Sequence, residues 1–148
     1  MTREVEATEL ETIQRLYGDY LDKTEELERQ RKPGDGLLGM GGGPDRDVCH
    51  DAFVRDLTAA MQELAQSAVP SDDLRGILEY MYEIPLRHRD NSLAYWMLLA
   101  VQGLTAELIP RLEPRDASEL LRRYRDAYPR FERLPVQKNV LSSLKARA

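Results

Sequence analysis

The chain has 148 residues, of which 42% are apolar and 32% charged, with a formal net charge of −5. A chain of this length buries enough apolar surface to fold without disulfides or metal, and one cysteine excludes an intramolecular disulfide. The negative balance counts against a large phosphate footprint and makes nucleic acid an unlikely partner, although residues 1–74 carry 8 basic and 17 acidic side chains (net −9) and residues 75–148 carry 13 and 9 (net +4).

No stretch alternates with period two, while apolar spacings of three and four recur throughout, which predicts an all-α chain. The expected architecture is a single-domain bundle of about six helices over 1–148, with a short HEAT-like array of two-helix repeats as the alternative. That alternative rests on Pro70–Pro85 and Pro114–Pro129, two units of equal length with Tyr80 matching Tyr124. The first helix is predicted over 3–31, about 40 Å long, with Leu10, Ile13, Tyr17, Tyr20, Thr24 and Leu27 spaced 3-4-3-4-3. Leu16 and Leu21 widen that stripe. A helix this long has apolar surface to offer another helix, a partner or a second copy of the chain.

Pro33 and the glycines end it, because proline lacks the amide donor and glycine costs backbone entropy. The glycine-rich loop of 33–46 holds Leu37, Leu38 and Met40, too apolar for a plain spacer, so they are candidate partner contacts. The helical core follows over 47–145. A second helix from Asp45 or Asp47 to Ala68 places Val48, Phe53, Leu57, Met61 and Leu64 on its buried face. A third starts at Ser71 as cap and stops at Pro85. A fourth, capped by Asn91 or Ser92, runs toward Pro110 and puts Trp96 and Met97 in the core. Pro114 and Pro135 each sit well as first residues of a fifth helix reaching Tyr128 and a sixth reaching Lys145.

The chemical motifs are weak. GDGLLG at 34–39 satisfies G-x-G-x-x-G, but it leaves a helix rather than a strand, so it is no dinucleotide fingerprint. DRDVCHDAFVRD at 45–56 has carboxylates at four calcium-loop positions and lacks the turn glycine and the closing glutamate. Cys49 and His50 are good metal-ligand types, and with His88 they are a candidate ligand site if the RHRD stretch folds back; the nearby aspartates are expected to raise the thiol pKa. Arg87, His88 and Arg89 form a small basic cluster suited to a carboxylate or phosphate. Arg122, Tyr124, Tyr128 and Phe131 interleave arginine with aromatics, as partner-facing surfaces do.

No catalytic spacing is present, and no metal or cofactor is expected. The reading is a small helical protein-interaction, adaptor or regulatory protein with a protein partner, with a homodimer through the first helix as one form that partnership takes. The alternatives are a metal- or small-ligand-binding enzyme centred on Cys49, His50 and His88, and a nucleic-acid-binding regulator using the arginine-rich C-terminal half. The first fifteen residues hold no apolar leader core and LAYWMLLAV at 93–101 is too short to span a bilayer, so a cytoplasmic protein without membrane contact is expected.

Overall fold

The computed structural model describes residues 2–30, 43–130 and 133–148, with side chains from Glu9 in the first helix and from Val48 in the second. Among the described residues there are six α-helices and no strand: α1 Thr2–Arg29, α2 Gly43–Gln66, α3 Ser71–Glu83, α4 Tyr95–Ala100, α5 Pro114–Ala127 and α6 Pro135–Arg147. The all-α reading is correct. None of the described helices is long and apolar enough to cross a membrane. Leu37, Leu38, Met40 and Phe131 lie outside the described residues.

The 3-4 stripe of α1 does what its spacing requires. Ile13, Tyr17, Tyr20 and Thr24 are all buried, and the first three share one apolar cluster with Cys49, Phe53 and Leu57 of α2. Tyr17 is edge-on to Phe53 at 5.1 Å and Tyr20 stacked on it at 4.2 Å; Tyr20 also meets His50 near the start of α2 while Ile13 lies beside Ala60 and Leu64 near its end, so α1 and α2 are antiparallel. Tyr80 of α3 closes the cluster edge-on to Tyr17 at 5.4 Å. Buried side chains from all six helices join into one contiguous apolar cluster. Leu57, Leu78 and Leu98 are 0% exposed, and each stabilises the fold by about 1.5–3 kcal/mol.

Ser71 is the first residue of α3 rather than its cap, a position held by Pro70. Its hydroxyl instead joins two helix starts: it donates to Asp116 Oδ2 at 2.5 Å and accepts from the Glu113 amide at 2.7 Å. Arg75 adds a 3.2 Å ion pair to Asp116, which is 1% exposed. At the other end Pro85 does not stop the chain turning. It opens a 3₁₀ turn, Ile84–Arg87, because its missing amide is an orphan at such a start.

The long fourth helix does not form. Asn91 Oδ1 accepts the Ala94 amide at 3.2 Å in the turn before the helix, but the cap position of α4 is held by Ala94 without a side-chain bond, and α4 lasts six residues and passes into 3₁₀ turns at Val101–Thr105 and Ile109–Arg111. Gly103 lies inside this run, and a β-carbon there would stand 3.3 Å from Val136 Cγ2 of α6. The close approach of α6, and a buried Gln102 turned toward α5 and α6, hold the backbone in the tighter turn. Two core assignments are also corrected. Trp96 is 52% exposed and Val48 68% exposed, because α4 is too short and turned too early to bury Trp96, and Val48 sits on the outer side of α2.

Candidate functional site

An antiparallel helix pair that buries its inner faces leaves an outer seam. Where the last turns of α1 meet the first turns of α2 this seam opens into a hollow of about 370 Å³ lined by Lys23, Glu26, Leu27, Gln30, Val48, Cys49 and Ala52. It continues into a smaller one of about 70 Å³, bounded by Leu16, Asp19 and Asp56 with Tyr20 and Phe53 beneath. Lys23, Cys49 and Ala52 border both, so they form one trough. The stripe on α1 is wider than α2 can cover. Leu16 and Leu27 are therefore only half-buried, and Val48 stands open across the hollow from Leu27.

Cys49 is 8% exposed at the floor of the trough. Burial pushes its thiol pKa up, and the charge of Lys23 opposes that only in part. The direction agrees with the sequence expectation, and among the described residues the first cause is desolvation. His50 points the other way, into the protein. It is 5% exposed, its Nδ1 lies 2.5 Å from the Tyr20 hydroxyl, and its ring meets the edge of Trp96 at 5.3 Å.

The RHRD stretch does fold back toward α1, but through the residues that follow it. Asn91 donates to Thr24 Oγ1 at 2.9 Å, Ser92 bonds the Glu28 carboxylate, and Trp96 reaches His50. His88 stays in the turn, its amide donating to the Pro85 carbonyl at 3.1 Å. Cys49, His50 and His88 do not gather: among the described residues no three His, Cys, Asp or Glu side chains are placed to hold a metal ion. Arg87 and Arg89 are exposed on this turn.

The arginine and tyrosine residues of α5 are separated by the helix itself. Residues two apart point about 200° away from each other, so Arg122 faces solvent while Tyr124 faces inward with Ala117 and Leu120. Tyr124 and Tyr128 are 1% and 5% exposed and belong to the core, which corrects their assignment to a partner-facing surface. The Tyr124 hydroxyl donates to Gln102 Oε1 at 2.6 Å, Gln102 Nε2 donates to the Tyr128 hydroxyl at 3.0 Å, and that hydroxyl donates to the Tyr82 carbonyl. Tyr82 and Thr105 share a 2.7 Å hydrogen bond between hydroxyls. Arg122 is paired with Glu119 at 2.5 Å and Asp126 at 3.7 Å, and Arg123 grips Glu83 at 2.7 and 2.8 Å and Glu79 at 2.6 Å.

Two further hollows are less suited to an apolar ligand. One of about 410 Å³ is ringed by the ion-paired Glu83, Arg122, Arg123 and Asp126. Another, about 170 Å³, lies at the far end of the α1–α2 seam beside Glu9, Glu63 and Ile13. There Glu9 has its pKa raised, first by burial and then by Asp73 and Glu63.

Among the described residues the trough is thus a place where apolar side chains of α1 and α2 stand open. Lys23, Glu26 and Gln30 line it without having been singled out from sequence, whereas Leu27 belongs to the predicted α1 stripe, whose width with Leu16 pointed to surplus apolar surface on that helix. No family model, no characterised protein and no solved structure matches the chain.

Proposed function

We propose that this protein is a protein-binding module, acting as an adaptor or regulatory subunit, and that the α1–α2 trough seats an apolar segment of its partner. The observation that carries the reading is Val48, 68% exposed at the edge of a 370 Å³ hollow whose walls include Leu27 and Ala52. Burying such surface on association is favourable by about 25 cal/mol per Å², and a concave apolar seat with polar rims is how helical proteins receive partner side chains.

Site-specific photo-cross-linking tests it. A photoreactive side chain at position 48, and for comparison at the exposed Asn139 of α6, is activated in host extract. A discrete adduct at 48 that is absent at 139 and lost on Leu27→Ser supports the module. Identical patterns at both positions, or none at 48, overturn it.

A further inference from the structure

Resting on that reading of the trough, the geometry points to a partner of defined chemistry: we infer that its occupant is a basic amphipathic α-helix. The trough runs along α1 from Leu16 to Gln30, about 21 Å at the helical rise, which accommodates a helix of roughly four turns. Two antiparallel helices offer ridges and a groove to a third, and they offer no unpaired backbone edge. An extended segment lying on Leu16, Leu27, Val48 and Ala52 would leave its own amides and carbonyls facing apolar side chains. A helix satisfies those groups internally and presents only side chains.

Charge selects which helix. Asp19 and Glu26 stand two turns apart on the α1 rim and Asp56 stands on the α2 rim, all exposed. Against them the described lining residues supply one cation, Lys23. Asp56 is shared with Arg55 at 3.2 Å, and Glu26 accepts from Gln30 at 3.3 Å, so Asp19 and Glu26 on α1 provide most of the available negative charge. The half of the chain that carries the trough has a net charge of −9, from 8 basic and 17 acidic residues in 1–74, and its field steers cations toward it. The matching ligand has leucine-sized residues at i, i+4 and i+7 for the floor, with Lys or Arg on both flanks to meet the two acidic rims.

Labelled helical peptides of about four turns test this by fluorescence anisotropy against the full chain: one with a leucine stripe and lysine flanks, one with the same stripe and glutamate flanks, and one with the lysine composition scrambled. The lysine-flanked stripe is expected to bind about tenfold tighter than the other two near 0.15 M salt, with the gap over the glutamate peptide shrinking at about 1 M. The double variant Asp19→Lys, Glu26→Lys should reverse the flank preference, and Val48→Glu should abolish binding. All three substituted positions are exposed, so helicity by circular dichroism should be unchanged.

Stripe peptides that bind equally whatever their flanks, yet fail on Val48→Glu, overturn the basic partner and leave the trough standing. If no peptide shows Val48-dependent binding, the trough falls as well. A dimer in sedimentation equilibrium that Val48→Glu dissociates, and that no peptide displaces, would assign the trough to a second copy of this chain and overturn the inference.

Discussion

Replacing Tyr17 by phenylalanine should make the protein more stable. The Tyr17 side chain is 0% exposed, and its hydroxyl has no hydrogen-bond partner among the described residues. Burial, with Tyr80, Tyr82 and Tyr128 adding to it, holds the phenol neutral by raising its pKa well above the usual value. An unpaired buried hydroxyl carries a desolvation cost of about 1–3 kcal/mol that Tyr17→Phe removes. The edge-on contacts with Phe53 at 5.1 Å and Tyr80 at 5.4 Å involve the ring, which phenylalanine keeps. The void left by one oxygen costs a few tenths of a kcal/mol at roughly 24 cal/mol per Å³. The net expectation is stabilisation of about 1 kcal/mol, or an increase in Tm of about 2–4 °C for a chain of this size. Urea unfolding followed by circular dichroism reads the difference directly.

Tyr124→Phe is the control, because its hydroxyl donates to Gln102 Oε1 at 2.6 Å. Removing it leaves that buried oxygen with only the longer donation from Gln137 at 3.4 Å, and the expected loss is about 1–2 kcal/mol. A Tyr17→Phe variant destabilised by as much as Tyr124→Phe would refute the assignment of an unpaired hydroxyl.

Alkali should unfold the protein cooperatively. Burial raises the pKa of Tyr17, Tyr20, Tyr80, Tyr82, Tyr124 and Tyr128. Above about pH 10 the unfolded chain releases protons that the native state keeps, so stability falls by up to about 1.4 kcal/mol per pH unit for each such tyrosine. Tyrosinate absorbance should rise together with loss of helicity; a gradual rise with helicity intact would contradict the burial. Glu9→Gln should stabilise at neutral pH and not at pH near 4: a carboxylate with a raised native pKa contributes stability below its unfolded pKa and loses it as pH rises through the native one. Equal unfolding midpoints for wild type and Glu9→Gln at neutral pH would show that Asp73 and Glu63 exert no such repulsion. The Cys49 thiol, buried and with a raised pKa, should react with a disulfide reagent at least about tenfold more slowly in the native protein than in denaturant. Comparable rates would mean that the thiol is open to solvent. Asp116→Ala should destabilise by about 2 kcal/mol, since it frees both Ser71 and Arg75 from a buried carboxylate; a change within about 0.5 kcal/mol would make that junction dispensable.

Much of the helix pattern was legible because its signals are local. The 3-4 stripe of α1, and Pro114 and Pro135 at the first turns of α5 and α6, act within a few residues of themselves, and those helices begin where the prolines stand. The candidate site was less legible. Cys49 and His50 are adjacent in sequence, yet one lies at the floor of an open trough and the other faces Tyr20 and Trp96 inside the protein. Residue types alone could not tell which aromatic faces would be covered, so Trp96 was expected in the core and Tyr124 at the surface, the reverse of what the fold does.

The sequence by itself determined that the chain is helical and where most helices start and stop, because periodicity, capping and proline geometry are properties of a single turn. Tertiary structure alone decided that the segment after Asn91 breaks into short turns, that Trp96 and Val48 face outward, and that Asp116, Gln102 and Thr24 are buried with partners 41 to 67 residues away for Arg75, Ser71 and Asn91 and 22 to 35 away for Tyr124, Tyr128 and Gln137. Those outcomes depend on which surfaces meet across the bundle. Among the described residues, an open seam such as the α1–α2 trough is what remains after those contacts have been made.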